Sequence, residues 1–191
     1  MNHRGLIIAL FAVAVPVALH AQTPIRFSAA GGVSLPVGDL GDGANVGFNL
    51  GFRGETTRGR EWRFRGDLSW DRFGAKPVFY LASPDGFPCG YPDCRSRRYS
   101  SSYSYVGLAA NLLHHETGRV YEFGGLGIYN QKLSINGIRG GYSDTNLGLQ
   151  AGVGVEFNSP ELHSFVEFGL TNVFTSGPNA PWFPLKFGIR F

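Results

Sequence analysis

An eight-stranded, antiparallel, up-and-down transmembrane β-barrel is the all-β fold that this sequence predicts. Three observations carry the prediction. Eight stretches alternate apolar and polar side chains with a period of two, the mark of strands with one apolar face. The connections alternate too, short polar turns following every second strand and longer Gly- and Pro-rich loops following the others. The last stretch, Pro184-Leu185-Lys186-Phe187-Gly188-Ile189-Arg190-Phe191, alternates without a break and stops on Phe. A strand end in water gains little from an apolar aromatic, whereas a membrane interface favours one.

Residues 1–21 read as a secretory signal. His3 and Arg4 form a basic start, and Leu6 to Leu19 is an apolar run broken at Pro16. That run is shorter than the ~20 residues of a spanning helix, so cleavage near Ala21-Gln22 is expected, although Leu19 replaces the usual small residue before the cut. Residues 22–191 then form one barrel domain, with no other long apolar segment. The 28 Gly and 14% aromatic content favour β structure. A net charge of +3, part of it from Arg4, gives no basis for nucleic-acid binding.

The first strand runs from Ile25, with Ile25, Phe27, Ala29, Val33 and Leu35 on one face; Pro36 to Gly43 is turn material. The second places Val46, Phe48, Leu50 and Phe52 outward and Gly47, Asn49, Gly51 and Arg53 inward, before a turn at 56–60. In the third, Trp62, Phe64, Leu68 and Trp70 face Arg63, Arg65, Asp67, Ser69 and Asp71. Its two Trp are separated by roughly 26 Å of strand, or roughly 20 Å of height after tilt, close to the apolar band of a membrane barrel. Phe73 to Ser100 is the longest connection. The fourth strand turns Val106, Leu108, Ala110 and Leu112 outward and ends at His114, before a turn at Glu116 to Arg119.

The fifth strand, 120–133, has an ambiguous register. Leu126 and Ile128 belong outside, but their parity puts Glu122 there and turns Tyr121 and Phe123 inward. A bulge at Gly124-Gly125, or Glu122 at the membrane edge, resolves the conflict. After a loop at 134–145, the sixth strand sets Leu147, Leu149, Ala151, Val153, Val155 and Phe157 against Gln150 and Glu156. The seventh sets Val166, Phe168, Leu170 and Phe174 against Glu167 and Thr171, and a loop at 175–183 leads to the closing strand.

The signal ending at Ala21, the eight alternating segments and the closing Lys186-Phe187-Gly188-Ile189-Arg190-Phe191 together resemble the small outer-membrane barrels of the OmpA-transmembrane-domain and OmpX type. The resemblance covers nearly the whole chain after the signal. It implies residence in a bacterial outer membrane, contact with outer-membrane lipid and lipopolysaccharide, and a monomer. It also implies that the barrel assembly machinery reads Phe187, Gly188, Ile189 and Phe191. No wall-anchoring domain follows Phe191 in this sequence. The family includes adhesins, structural anchors, small channels, hydrophobic-ligand carriers and lipid-modifying enzymes. A structural or surface-interaction protein without catalytic activity or cofactor is expected here, a narrow channel or carrier is the alternative, and a lipid-modifying enzyme is third.

Two regions carry chemistry. The inward set is charged: Arg26, Arg53, Arg63, Arg65, Lys186 and Arg190 against Asp67, Asp71, Glu156 and Glu167. In a lumen just filled by side chains these must pair or meet trapped water, which gives a polar plug or, alternatively, a weakly anion-preferring pore. The long loop 73–100 carries Phe79, Tyr80, Phe87 and Tyr91 with Arg95, Arg97 and Arg98, a surface for a ligand or for lipopolysaccharide phosphates. Cys89 and Cys94 lie close together there; a disulfide is expected in an exported chain, and two Cys with no nearby His fall short of a zinc set. His114-His115-Glu116 resembles a metal group, but adjacent strand residues face opposite ways. His163-Ser164 resembles the His-x-Ser pair of a lipid A deacylase only loosely, its spacing wrong by one; Gly124-Gly125-Leu126-Gly127 is no phosphate loop; and the loop aspartates Asp39, Asp42, Asp85, Asp93 and Asp144 could bind Ca²⁺ but are expected to be solvated turn residues.

Overall fold

The alternating stretches pair in sequence order and then close on themselves. The computed structural model describes residues 25–57, 61–76, 78–82, 95–99, 101–115, 118–135, 142–159 and 161–191. The expected signal, Cys89, Cys94, Phe87 and Tyr91 lie outside the described residues. The elements are β1 (Ile25–Pro36), α1 (Gly38–Gly43), β2 (Gly47–Thr57), β3 (Trp62–Gly74), β4 (Val78–Ala82), β5 (Arg95–Tyr99), β6 (Ser101–His114), β7 (Val120–Ile135), β8 (Tyr142–Asn158), β9 (His163–Val173) and β10 (Ala180–Arg190). The barrel runs β1-β10-β9-β8-β7-β6-β3-β2 and is closed by β1, which pairs antiparallel with both β2 and β10. Closure leaves no edge strand unpaired, the condition for a sheet in lipid.

The outer wall is apolar by register. Ala29, Phe52, Leu68, Leu108, Ile128 and Leu147 stand side by side on consecutive strands and all point outward. A continuous apolar belt of this kind is unfavourable in water and is what a bilayer requires. Near one rim, Phe27 stacks on Phe52 at 5.7 Å, and Phe191 lies 6.3 Å from Phe52. Phe191 is also held by backbone hydrogen bonds in both directions with Phe27. The connections at this rim are short; those at the other carry α1 and the β4–β5 ribbon.

Several sequence expectations shift. β7 has no bulge: its ladders with β6 and β8 run unbroken past Gly124 and Gly125. The other expected solution holds: Glu122 faces out near the short-turn rim, beside His114 at 3.2 Å, while Tyr121 and Phe123 point inward. β2 extends to Thr57, so Glu55 enters the lumen instead of leading into a turn. Phe73 belongs to β3 and is fully buried, and residues 78–82 pair with 95–99 in a ribbon inside the expected loop. β10 begins at Ala180, which turns Trp182 into the lumen.

In so narrow a barrel several inward rings fit because a neighbouring strand carries glycine beside them. A Cβ on Gly154 would lie 2.3 Å from the Tyr121 ring, and one on Gly107 2.5 Å from the ring of Tyr129. The alternation of inward glycine with inward aromatics is therefore a packing device, a ring on one strand filling the space left by its neighbour.

Candidate functional site

The inward side chains form two tiers. The lower tier, nearer Phe191, is a charge network centred on Glu167 of β9. Arg53 on β2 donates from Nη2 to Glu167 Oε2 at 2.6 Å, and Arg65 on β3 donates from Nη1 to Oε1 at 2.6 Å. The Tyr121 hydroxyl on β7 donates to the same Oε1 at 2.6 Å. Asp67 lies against both guanidiniums, 2.9 Å from Arg65 Nε and 3.6 Å from Arg53 Nε. It accepts from Asn111 at 2.9 Å and from Gln150 at 3.4 Å. β3 and β9 stand opposite each other in the ring, so the Arg65–Glu167 pair spans the lumen.

Below this group, Arg63 donates to Glu55 at 2.9 Å, and Arg190 meets Glu156 at 2.6 Å and Glu55 at 3.5 Å. Phenyl faces cover the guanidiniums: Arg53 over Phe165 at 4.9 Å and Arg65 over Phe123 at 4.4 Å. His115, beyond the end of β6, points inward, 3.8 Å from Glu156 and stacked on Tyr121 at 5.1 Å. Burial and the nearby Arg63 charge hold its imidazole below the ordinary value, so it stands neutral at pH 7. His114 points the other way, its ring 4.5 Å from that of Trp62.

The structure brings together nine of the ten charged residues expected in the lumen and adds a tenth. Arg26 shares the inward parity but lies exposed at the mouth, beside a recess it forms with His163, Arg190 and Phe191. Asp71 accepts from the Ser34 hydroxyl at 2.7 Å, and Lys186, paired in register with Glu167, is buried as well. With Glu55 counted and Arg26 at the mouth, the described lumen holds five cations (Arg53, Arg63, Arg65, Lys186, Arg190) and five carboxylates (Glu55, Asp67, Asp71, Glu156, Glu167). The parity of Gly51 and Arg53 already points to Glu55; the unmarked end of the strand hides it.

The upper tier is apolar, and sequence reasoning missed it. Trp182 sits 5.0 Å from Tyr105, 5.7 Å from Phe73 and 6.1 Å from Tyr129, ring to ring. Leu40 of α1, with Ala44, Val173 and Ala180, packs on this cluster. β10 and β6 face each other, so the aromatic tier also crosses the barrel. The signal is present as inward-parity aromatics in β6 and β7, but the Gly and Pro around Trp182 make its segment read as a loop.

The expected loop surface is only partly described. Phe79 pairs with Arg98, Tyr80 with Arg97 and Ala82 with Arg95 along the backbone of the β4–β5 ribbon. In β10, Phe187, Ile189 and Phe191 face outward and are exposed, while Gly188 lies under the Phe165 ring. Among the described residues, no three His, Cys, Asp or Glu side chains gather as a metal site.

An unbroken antiparallel wall, apolar outside and charged inside, is matched over residues 6–191 by the family model for the outer membrane protein beta-barrel domain. The chain belongs to this family. No curated protein matches it. Among solved structures, this outer-membrane barrel is similar to Ail, the attachment invasion locus protein of Yersinia pestis, in complex with the heparin analogue sucrose octasulfate. That match has 20% identity, a TM-score of 0.56, and coverage of 87% of this chain and 97% of that one. Neisserial surface protein A matches at 15% identity and TM-score 0.55, covering 87% and 95%. A major outer membrane protein from Thermus thermophilus matches at 14% and 0.53, covering 87% and 98%. At these identities the likeness is one of fold. In bacterial outer-membrane barrels short turns lie on the periplasmic side and longer loops outside.

Proposed function

We propose that this barrel is a non-enzymatic, monomeric structural or surface-interaction protein whose lumen is held shut and whose external loops meet the surroundings. The observation that carries the reading is the balanced charge tier, in which Glu167 ties β9 to β2, β3 and β7. Equal numbers of buried cations and carboxylates leave no excess charge to attract one kind of ion. Moving a permeant ion through the tier means breaking pairs whose members are costly to leave alone. The aromatic tier above sets closely packed rings across the same path. Both features weigh against the narrow-channel or carrier reading.

Refolded protein in planar bilayers is expected to give no steady conductance above background, at neutral pH and in molar salt. Sizeable, steady single-channel steps would overturn the plug and favour the channel.

The external contact is assigned to the loop between β3 and β6. Its Arg95, Arg97 and Arg98 suit lipopolysaccharide phosphates or an acidic surface ligand. Deleting residues 79–95 is expected to leave barrel assembly intact and to remove an adhesion or ligand-binding phenotype; loss of outer-membrane insertion instead would make the loop a folding element. Cleavage near Ala21-Gln22, a Cys89–Cys94 bridge and recognition of the Phe191 strand by the assembly machinery belong to the same reading.

A further inference from the structure

Proline is unusual inside a sheet, because it has no N–H for the ladder and is ordinarily confined to edges and bulges. A closed barrel has no edge, yet β10 carries Pro184 within its paired length. The bonding direction of β10 can be read at its two ends. Pro181 accepts from Val37, and Phe191 exchanges backbone hydrogen bonds with Phe27, so the odd-numbered residues bond toward β1. The even-numbered ones then bond toward β9. Register sets Pro184 opposite Gly169, and the pairing lapses there, between Trp182–Thr171 and Leu185–Phe168. The register is the same on both sides of the lapse, so it is no bulge. Gly169 faces a residue that cannot donate, and its carbonyl lacks a ladder donor.

An unpaired carbonyl in a spanning wall is costly, because lipid offers no donor. A crevice of about 10 Å³ opens at this point, lined by Gln150, Glu167, Gly169, Thr171, Pro184 and Lys186. That is about the room one water needs. Lys186 is 9% exposed, and among the described residues it donates no hydrogen bond and forms no ion pair within 4 Å. Its register partner Glu167 already accepts from Arg53, Arg65 and Tyr121. Lys186 is a diagonal cross-strand neighbour of Gly169, which has no side chain to keep the ammonium away. In the crevice a metal cation would be repelled by Lys186, and an anion by Glu167 and the carbonyl oxygen. A neutral molecule of water's size meets neither objection.

We propose that one ordered water, held by the Lys186 ammonium and the Thr171 hydroxyl, donates to the Gly169 carbonyl in place of the N–H that Pro184 lacks. The water accepts from Lys186 and donates to Gly169 and to the Thr171 oxygen, three partners being usual for a buried water. Lys186 is then a positioning residue that seals the β9–β10 wall, a role separate from the ion pairs of the plug. The seal holds whether or not the lumen conducts.

Water–protein NMR cross-peaks of the refolded protein in micelles test the site directly. Wild type is expected to show a cross-peak from a long-lived water to the Gly169 Cα protons. P184A restores a backbone N–H opposite Gly169 and is expected to abolish that cross-peak, although Lys186 and Thr171, whose exchanging protons could give a similar signal, stay in place. No long-lived water in wild type, or the same cross-peak in P184A, overturns the proposal. Urea unfolding in micelles supplies a double-mutant cycle. K186M is expected to lower the folded-to-unfolded ratio of wild type at least tenfold, and to lower that of P184A by a factor about five times smaller, the worth of one hydrogen bond. Equal losses in the two backgrounds would assign Lys186 to the plug alone and overturn the seal. Heat-shifted gel mobility verifies that each variant is folded, and the wild-type cross-peak reads the site even where K186M does not fold. Conductance is scored separately, so a failed plug and a failed seal give different results.

Discussion

Glu167→Gln lowers the unfolding free energy of the refolded barrel by about 3–5 kcal/mol, the scale for removing one member of a buried ion pair. The carboxylate is the hub of the lower tier, accepting from Arg53, Arg65 and Tyr121, each at 2.6 Å. Glutamine keeps the size and one acceptor oxygen but removes the charge, and Asp67 is then left to balance two guanidiniums. Most of the cost is the stranded positive charge rather than the lost contacts. Tyr121→Phe, which removes one donor from the same charged oxygen, is expected to cost about 1.5–3 kcal/mol by comparison. Urea unfolding in micelles, followed by tryptophan fluorescence, measures both, and an unchanged m-value shows that the same surface is exposed. A loss below about 1 kcal/mol for Glu167→Gln would mean that water or a rearranged Asp67 neutralises the cluster, and the network would not hold the lumen shut.

Trp182→Ala is expected to cost about 3–5 kcal/mol, the range for truncating a buried large aromatic. Trp182 is 1% exposed and touches Tyr105, Phe73 and Tyr129, which reach it from three other strands. Its removal opens a void beneath Leu40 of α1, and the rings around it cannot all close the gap. Trp182→Phe keeps most of the packing and is expected to cost less than half as much. The same urea titration checks both variants. If alanine costs no more than phenylalanine, the upper tier is loosely packed and does not bridge β10 to β6.

The two tiers separate what a sequence can disclose from what it cannot. The faces of Trp62 to Asp71 and of Leu147 to Glu156 are readable because strand alternation is a local rule: each side chain's face follows from its neighbours two residues away. The same rule places His114 and His115 on opposite walls. Errors arise at strand ends, where parity continues but the end of a strand has no sharp local signal. Glu55 goes unassigned between its strand and the turn at 56–60, and Trp182 reads as a loop residue, for that reason, although each sits in phase with its own strand. The glycine pair at 124–125 misleads in the other direction. It suggests a bulge because Glu122 is unsuited to a mid-membrane outward position, yet near a rim and beside His114 that position is tolerable.

By itself, then, the sequence determined the all-β class, the eight barrel strands, the apolar outside and the charged inside, because all of these follow from a period of two along the chain. Only the tertiary structure decided which charges meet. Arg53 and Glu167 are 114 residues apart, and their contact depends on strand register and on the ring closing through β1 and β10. Closure also brought Trp182 against Tyr105 across the lumen, and register set Pro184 opposite Gly169 in the wall. Those pairings come from relations between strands, which alternation within any one strand does not encode.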